Sequence, residues 1–438
     1  MENFITGYPG HEHEMRRALR AVLGPEKYEY FFERFLTYFF DEADAAFFAS
    51  LGLNCLRLPV NYRHFEDDMN PRVFKEEGLR HLDRVVDLCA RHGIYTIIDL
   101  HAAPGGQNVD WHSDSGIAKA LFWDHKDFQD RTVLIWEKLA QHYKGNPWVA
   151  GYNPLNEPTD VEHTRLLAFY ERVEKAIRAI DAEHILFLDG NTFGADFSRF
   201  GKPLPNSVYA CHDYSNYGFP NPPEPFTRSE KQIATLERQF ERKIKYMREI
   251  GGPVWNGEFG PVYASPEDGD DYEKTNDERY AVLEEQLKIY ARVNASWSIW
   301  LYKDIGFQGM VYVDPETPYM KLLKPFLEKK KQTAVDAWGC DDTPVRDVFV
   351  PMERWLTESA PGIEKLYPPM WRAHKHLFRR VRNCLLGEVM SDEYAEYFRD
   401  KTTEELDELA KSFALANCQK RGRLNHILTE DGKREVHE

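Results

Sequence analysis

The stretch Trp148-Val149-Ala150-Gly151-Tyr152-Asn153-Pro154-Leu155-Asn156-Glu157-Pro158 is an apolar run that closes on a carboxylate. A second run of the same kind, Pro253-Val254-Trp255-Asn256-Gly257-Glu258-Phe259-Gly260, closes on another, 101 residues further along. Short runs of this composition read as strands buried on both faces. Glu is rarely buried unpaired, so its place at the tip of such a strand is a poor choice for packing. It is a good choice for chemistry, because α/β barrels gather their reacting groups at the carboxyl ends of the strands.

Working outward, residues 53–60, 94–101, 184–190, 207–213 and 295–301 have the same strand character. Helix-period segments lie between them, near 27–51, 75–92, 127–143, 163–181, 229–250 and 277–293, and Gly52, Gly93 and Gly251 stop three of them. Strands alternating with helices predict a parallel α/β protein, and the length fits one (β/α)8 TIM barrel with extensions as well as it fits two or three average domains. Seven strands are found where a closed barrel has eight. The missing first strand should precede residue 4, where only Met1-Glu2-Asn3 stands, so the start is either misplaced or naturally shortened. Past residue 315 the pattern changes to charged helical stretches at 345–357, 366–388 and 402–418. The expected division is a barrel domain over 1–325, then the last barrel helix with an appended helical extension and polar tail over 326–438.

Composition narrows the possibilities. Apolar residues at 42% and aromatics at 14% support a large core. A net charge of −16 argues against nucleic acid, whose affinity comes from Lys and Arg neutralising phosphates. The six cysteines, Cys55, Cys89, Cys211, Cys340, Cys384 and Cys418, form no CxxC pair, so neither a zinc knuckle nor a thioredoxin-type site is indicated. No run is long enough to span a membrane and no signal peptide is visible, which points to the cytoplasm unless an upstream stretch carried a leader. His11 and His13 alternate around Glu12 with no third ligand, and a solvated polar loop explains them without a metal.

Several other strand ends carry polar groups that a core would not choose: Arg57, His101, Asn156, His212, Tyr214 and Trp300. Singly, each has an ordinary structural explanation. An Arg within Leu-Arg-Leu-Pro-Val must pair with a carboxylate or bear a heavy desolvation cost. Together they fall at successive strand ends, where a barrel would converge them on Glu157 and Glu258. One carboxyl as acid and one as nucleophile is what cleavage of a glycosidic bond needs.

At these residues the chain resembles glycoside hydrolase family 5, the cellulase family of retaining β-glycosidases. The resemblance rests on Leu56-Arg57-Leu58-Pro59, Asp99-Leu100-His101, Asn156-Glu157-Pro158, His212-Asp213-Tyr214, Gly257-Glu258-Phe259-Gly260 and Trp300, which occur in the family's order over roughly residues 2–315. It implies Glu157 as acid/base and Glu258 as nucleophile, with Arg57 and Tyr214 orienting Glu258. It further implies Asn156 on the sugar 2-hydroxyl, His101 and His212 positioning sugar and carboxylates, and Trp300 stacking beneath the sugar. No cofactor or metal is implied.

The loop Ala102-Ala103-Pro104-Gly105-Gly106-Gln107-Asn108 resembles that of the family's exo-β-1,3-glucanase branch, with Asn108 among the expected substrate contacts. Glu2 falls where that branch contacts the non-reducing-end sugar. The resemblance therefore implies exo action on β-glucans, oligosaccharides or β-glucosides. An endo-β-1,4-glucanase, a mannanase, a diglycosidase and an inactive carbohydrate-binding barrel are the alternatives. Trp111, Trp123 and Trp255 are open to two readings, sugar platforms or packing. The expected partner is carbohydrate, with no nucleic acid and no membrane; the oligomeric state is open.

Overall fold

The computed structural model describes residues 3–336 and 341–434, so Glu2 and Cys340 lie outside the described residues. The chain forms two compact units. One comprises Phe40–Asn108, Ala120–Tyr302 and Lys420–Glu438, the other Met1–Phe39, Val109–Lys119 and Lys303–Gln419.

The first unit holds seven parallel strands in sequential order: β1 Cys55–Asn61, β2 Tyr95–Ala102, β3 Val149–Asn153, β4 Ile185–Asp189, β5 Ser207–His212, β6 Val254–Glu258 and β7 Ser296–Trp297. Apolar side chains on β2, β4, β5 and β6 meet inside the sheet, where Ile97, Phe187, Ala210 and Trp255 are buried together. The sheet curls as in a (β/α)8 barrel, since Arg57 on β1 reaches Glu258 on β6 and His101 on β2 stacks on Trp300 beyond β7. No strand lies between β7 and β1 among the described residues. β1 is accordingly only half-buried along most of its length, whereas β6 is buried throughout. Side chains close the seam instead. Tyr302 donates to the buried Asp44 carboxylate at 2.7 Å and packs its ring against Phe40 and Phe48.

Helices alternate with the strands as expected, with one correction. The segment read as one helix over 27–51 breaks at Phe40-Asp41, because Asp41 caps Glu42–Ser50 in a reciprocal box with Asp44, an arrangement worth about 1 kcal/mol. The strand read over 148–157 ends at Asn153, since Pro154 has no N–H to offer the ladder. The one read over 295–301 keeps only Ser296–Trp297.

The second unit departs from the expected division at residue 325. The helix Glu12–Phe39 presents Phe31, Phe32 and Phe35 to a core completed by Tyr319, Tyr394, Phe398 and Phe413. The chain's beginning and its C-terminal helices thus form one body, a pairing that no local periodicity announces. The expected polar tail is also a helix, Gly422–Gly432, which buries Leu424 and Leu428 in the barrel unit while Asp431 accepts from Trp297 Nε1 at 2.9 Å. The His11-Glu12-His13 loop is not the solvated one expected: His11 is buried against Glu14, and His13 pairs with Asp114 at 2.8 Å. Cys55, Cys89, Cys211 and Cys384 carry free thiols. Among the described residues no helix is long and apolar enough to cross a membrane.

Candidate active site

The described residues of the expected constellation gather at the carboxyl ends of the barrel strands and in the loops that follow them, except Arg57, which stands within β1. Arg57 on β1 is its electrostatic centre. Its side chain is 4% exposed, with Nη1 donating to Glu258 Oε1 at 2.6 Å and Nη2 lying 3.0 Å from Asp99. Nη2 also donates to Asn156 Oδ1 at 2.7 Å, and both Nε and Nη2 donate to Asn153 Oδ1. One buried cation thus meets two carboxylates and two amides, which offsets a desolvation cost of several kcal/mol.

Glu258 ends β6 and is held at both oxygens, Oε1 by Arg57 and Oε2 by the Tyr214 hydroxyl at 3.0 Å. Burial, with the charges of Glu258 and Glu157 beside it, pushes the Tyr214 hydroxyl well above the ordinary tyrosine range, so it keeps its proton and donates. His212 ends β5 and faces the other carboxylate, its Nδ1 2.7 Å from Glu157 Oε1 and 3.6 Å from Glu258 Oε2. Burial alone would depress the imidazole; the charges of Glu258 and Asp189 and the hydrogen bond to Glu157 outweigh it and raise its proton affinity. Oxygens of Glu157 and Glu258 and a ring nitrogen of His212 all lie within 4.8 Å of one another. That donor set could reach one cation, but Arg57 already supplies a positive charge on Glu258, and the raised proton affinity of His212 favours a proton over a metal.

Glu157 lies beyond the end of β3 in a left-handed backbone conformation, φ 47°. Such a conformation costs of order 1–3 kcal/mol in a residue other than glycine, and the surroundings enforce it. The Glu157 N–H donates to Asp189 Oδ2 at 2.9 Å, and Asn108 donates its amide to the Glu157 carbonyl at 3.1 Å. Gln107 ties the carbonyls of His101 and Asn156 together, and Asn191 exchanges two hydrogen bonds with the Asp160 backbone. Asn108 is fully buried beneath this loop. It braces Glu157 and presents no surface to a sugar, which corrects the expected contact. Trp123 is likewise packing, its indole N–H donating to the Gln107 carbonyl. Trp255 belongs to the barrel interior, and Trp111 is buried within the other unit against Phe4.

His101 donates from Nδ1 to Asp99 at 2.7 Å, which leaves Nε2 to accept from Asn156 Nδ2 at 3.3 Å. Trp300 stacks on the His101 ring at 5.3 Å and 11°. The site therefore rests on three further groups that were not among the expected site residues: Asp99 within β2, Asn153 at the end of β3 and Asp189 at the end of β4. The signal was present in two of them: Asp99 lies buried within β2 and Asp189 ends the apolar β4, and an acid in either place needs a partner as much as Glu157 does.

The close fit around His212 is conferred by glycine. A Cβ on Gly257 would lie 2.9 Å from His212 Nε2, closer than real contacts allow. Gly257→Ala should therefore tilt the imidazole away from Glu157 and lower kcat on the order of 10²-fold, with a cooperative melt near that of the parent. Steady-state kinetics beside thermal denaturation checks this; an unaltered kcat would show that the ring's placement is immaterial.

Two carboxylates and a Tyr-Arg-His cage on barrel strand ends define a carbohydrate-cleaving hydrolase. The comparisons narrow the class: residues 31–306 match cellulase, glycosyl hydrolase family 5, and the chain belongs to that family. It is 59% identical over 437 residues to a protein named beta-xylosidase from Phanerodontia chrysosporium, covering 98% of this chain and 92% of that one. It is 32% identical over 174 residues to a probable glucan 1,3-beta-glucosidase A from Emericella nidulans, covering 39% and 42% of the two chains. The crystal structure of endoglucanase Cel5A from Thermotoga maritima shares the fold at a TM-score of 0.51 and 18% identity, over 62% of this chain and 84% of that one.

Proposed function

We propose that this glycoside hydrolase is a retaining, exo-acting β-glycosidase that removes single sugars from the non-reducing end, with β-xylosides preferred over β-glucosides. The observation that carries the retaining part is the approach of Glu157 and Glu258 oxygens to within 4.8 Å. Retaining pairs lie about 5–5.5 Å apart, whereas inverting pairs stand roughly 6.5–9.5 Å apart to admit a water. The roles follow from the hydrogen bonds. Glu258, with both oxygens held by cationic or hydroxyl donors, is the anion that attacks the anomeric carbon. Glu157 receives the His212 N–H on Oε1 and is the carboxyl that delivers the proton to the leaving group. Once the glycosyl-enzyme has formed, Glu157 as carboxylate takes a proton from water, which attacks the same carbon and frees Glu258. Asn156 and His101 address the sugar's hydroxyls and Trp300 its apolar face.

The preference for xylose rests on the name of the relative at 59% identity, which displaces glucose as the sugar first expected. Exo action rests on the resemblance of the loop after His101. The test is hydrolysis of nitrophenyl β-xyloside, nitrophenyl β-glucoside and xylo-oligosaccharides, with the first-formed anomer followed by NMR. Release of β-xylose from the earliest time point, faster than β-glucose, is expected. First-formed α-sugar would overturn retention, mixed oligosaccharides would overturn exo action, and faster glucoside turnover would overturn the sugar assignment.

A further inference from the structure

Asp189, at the end of β4, is a third carboxylate in the site and touches neither Glu258 nor any surface a sugar could reach. It is fully buried. Oδ2 accepts the Glu157 backbone N–H at 2.9 Å and Oδ1 accepts from Asn153 Nδ2 at 3.1 Å. The same Oδ2 lies 3.5 Å from His212 Nε2, a buried nitrogen with no hydrogen-bond partner. His212 is thus sandwiched between two carboxylates, with Glu157 on Nδ1 and Asp189 on Nε2.

We propose that Asp189 is a positioning residue for the acid/base step, acting through Glu157 and His212. It fixes the left-handed turn that aims Glu157, and as an anion it supports the imidazolium of His212. When Glu157 passes its proton to the leaving oxygen, the new carboxylate is met by His212 Nδ1–H, and the positive charge of that ring is balanced from behind by Asp189. The inference rests on the glycosidase reading above.

The electrostatics agree with this placement. Burial pushes the Asp189 carboxyl up to about 6, with His212, Arg57 and the Glu157 N–H opposing the rise and Asp99 adding to it. The remaining neighbours are the Tyr170 hydroxyl, which donates to the Asp189 carbonyl, and the buried Cys211 thiol. Asp189 is therefore an anion above about pH 6 and neutral below it. Removing its negative charge lowers the proton affinity of both His212 and Glu157, so the alkaline limb of kcat/KM must move to lower pH.

The experiment compares wild type, Asp189→Asn, Glu157→Gln and the double variant on nitrophenyl β-xyloside between pH 4 and 9. Asp189→Asn should lose on the order of 10-fold in kcat at pH 7 with KM little changed, and its alkaline limb should fall by roughly one pH unit. The gap from wild type should narrow as pH drops through about 6, where wild-type Asp189 is itself neutral. In the Glu157→Gln background the same change should cost less than about twofold, because the group it acts through is gone. An equal loss in both backgrounds, or an unmoved limb, overturns the proposal. Asp189→Ser, which keeps an acceptor without the charge, carries the test if the Asn variant does not fold. Glu258→Gln run alongside separates the two ideas: full activity there overturns the glycosidase reading and this proposal with it, whereas inactivity with additive Asp189 losses overturns the proposal alone.

Discussion

Glu258→Gln should abolish turnover of β-xylosides and β-glucosides, with a fall in kcat on the order of 10⁴-fold or more, while the protein remains folded. The substitution is nearly isosteric, and its oxygen can still accept from Arg57 Nη1, now 2.6 Å from Glu258 Oε1. What it removes is the negative charge that forms the bond to the anomeric carbon, and an amide cannot replace it. The usual cost of breaking a buried ion pair, about 3–5 kcal/mol, comes from the charge left uncompensated. Here Arg57 keeps Asp99 at 3.0 Å and the amide oxygens of Asn153 and Asn156, so most of that cost is avoided. Kinetics on purified protein with a melting curve checks both halves. A variant retaining a hundredth of the wild-type rate would remove Glu258 from the nucleophile's role.

The barrel was legible because most of its strands are buried on both faces and so appear as continuous apolar runs. Six of the seven expected strands sit within a few residues of their predicted ends, and the seventh shrank to Ser296–Trp297. The strand-end polar groups were legible for a related reason: Arg57, His101 and His212 are costly in such runs unless something uses them. Asp99 and Asp189 are costly there in the same way, Asp99 within β2 and Asp189 at the end of β4, yet neither stood among the expected site residues. Asn108 was placed in the right loop with the wrong task, since a polar residue near a site can serve the backbone as readily as a ligand. The second unit was illegible for a different reason. The aromatic stripe of Glu12–Phe39 shows that the helix has a buried face, but nothing local says that its partner lies at 394–413.

Glu157→Gln should divide substrates by their leaving groups. For a xylo-oligosaccharide, whose departing sugar hydroxyl needs a proton, kcat/KM should fall on the order of 10³-fold, within the range general acids supply. For nitrophenyl β-xyloside the phenolate leaves largely unaided, and the first step should lose only about 10-fold. The second step must still suffer, because Glu157 is also the base that activates water, so kcat for the activated substrate should fall more than kcat/KM and a burst of nitrophenol should precede a slow steady state. Geometry makes the variant a clean probe. The left-handed turn at residue 157 is held through backbone groups, by Asp189 on the N–H and Asn108 on the carbonyl, and neither bond involves the side chain being changed. The amide oxygen can keep the hydrogen bond from His212 Nδ1, which now lies 2.7 Å from Glu157 Oε1, so the imidazole stays in place and the lost proton is isolated from lost architecture. An equal loss on both substrates, without a burst, would mean that Glu157 shapes the site and does not handle the proton.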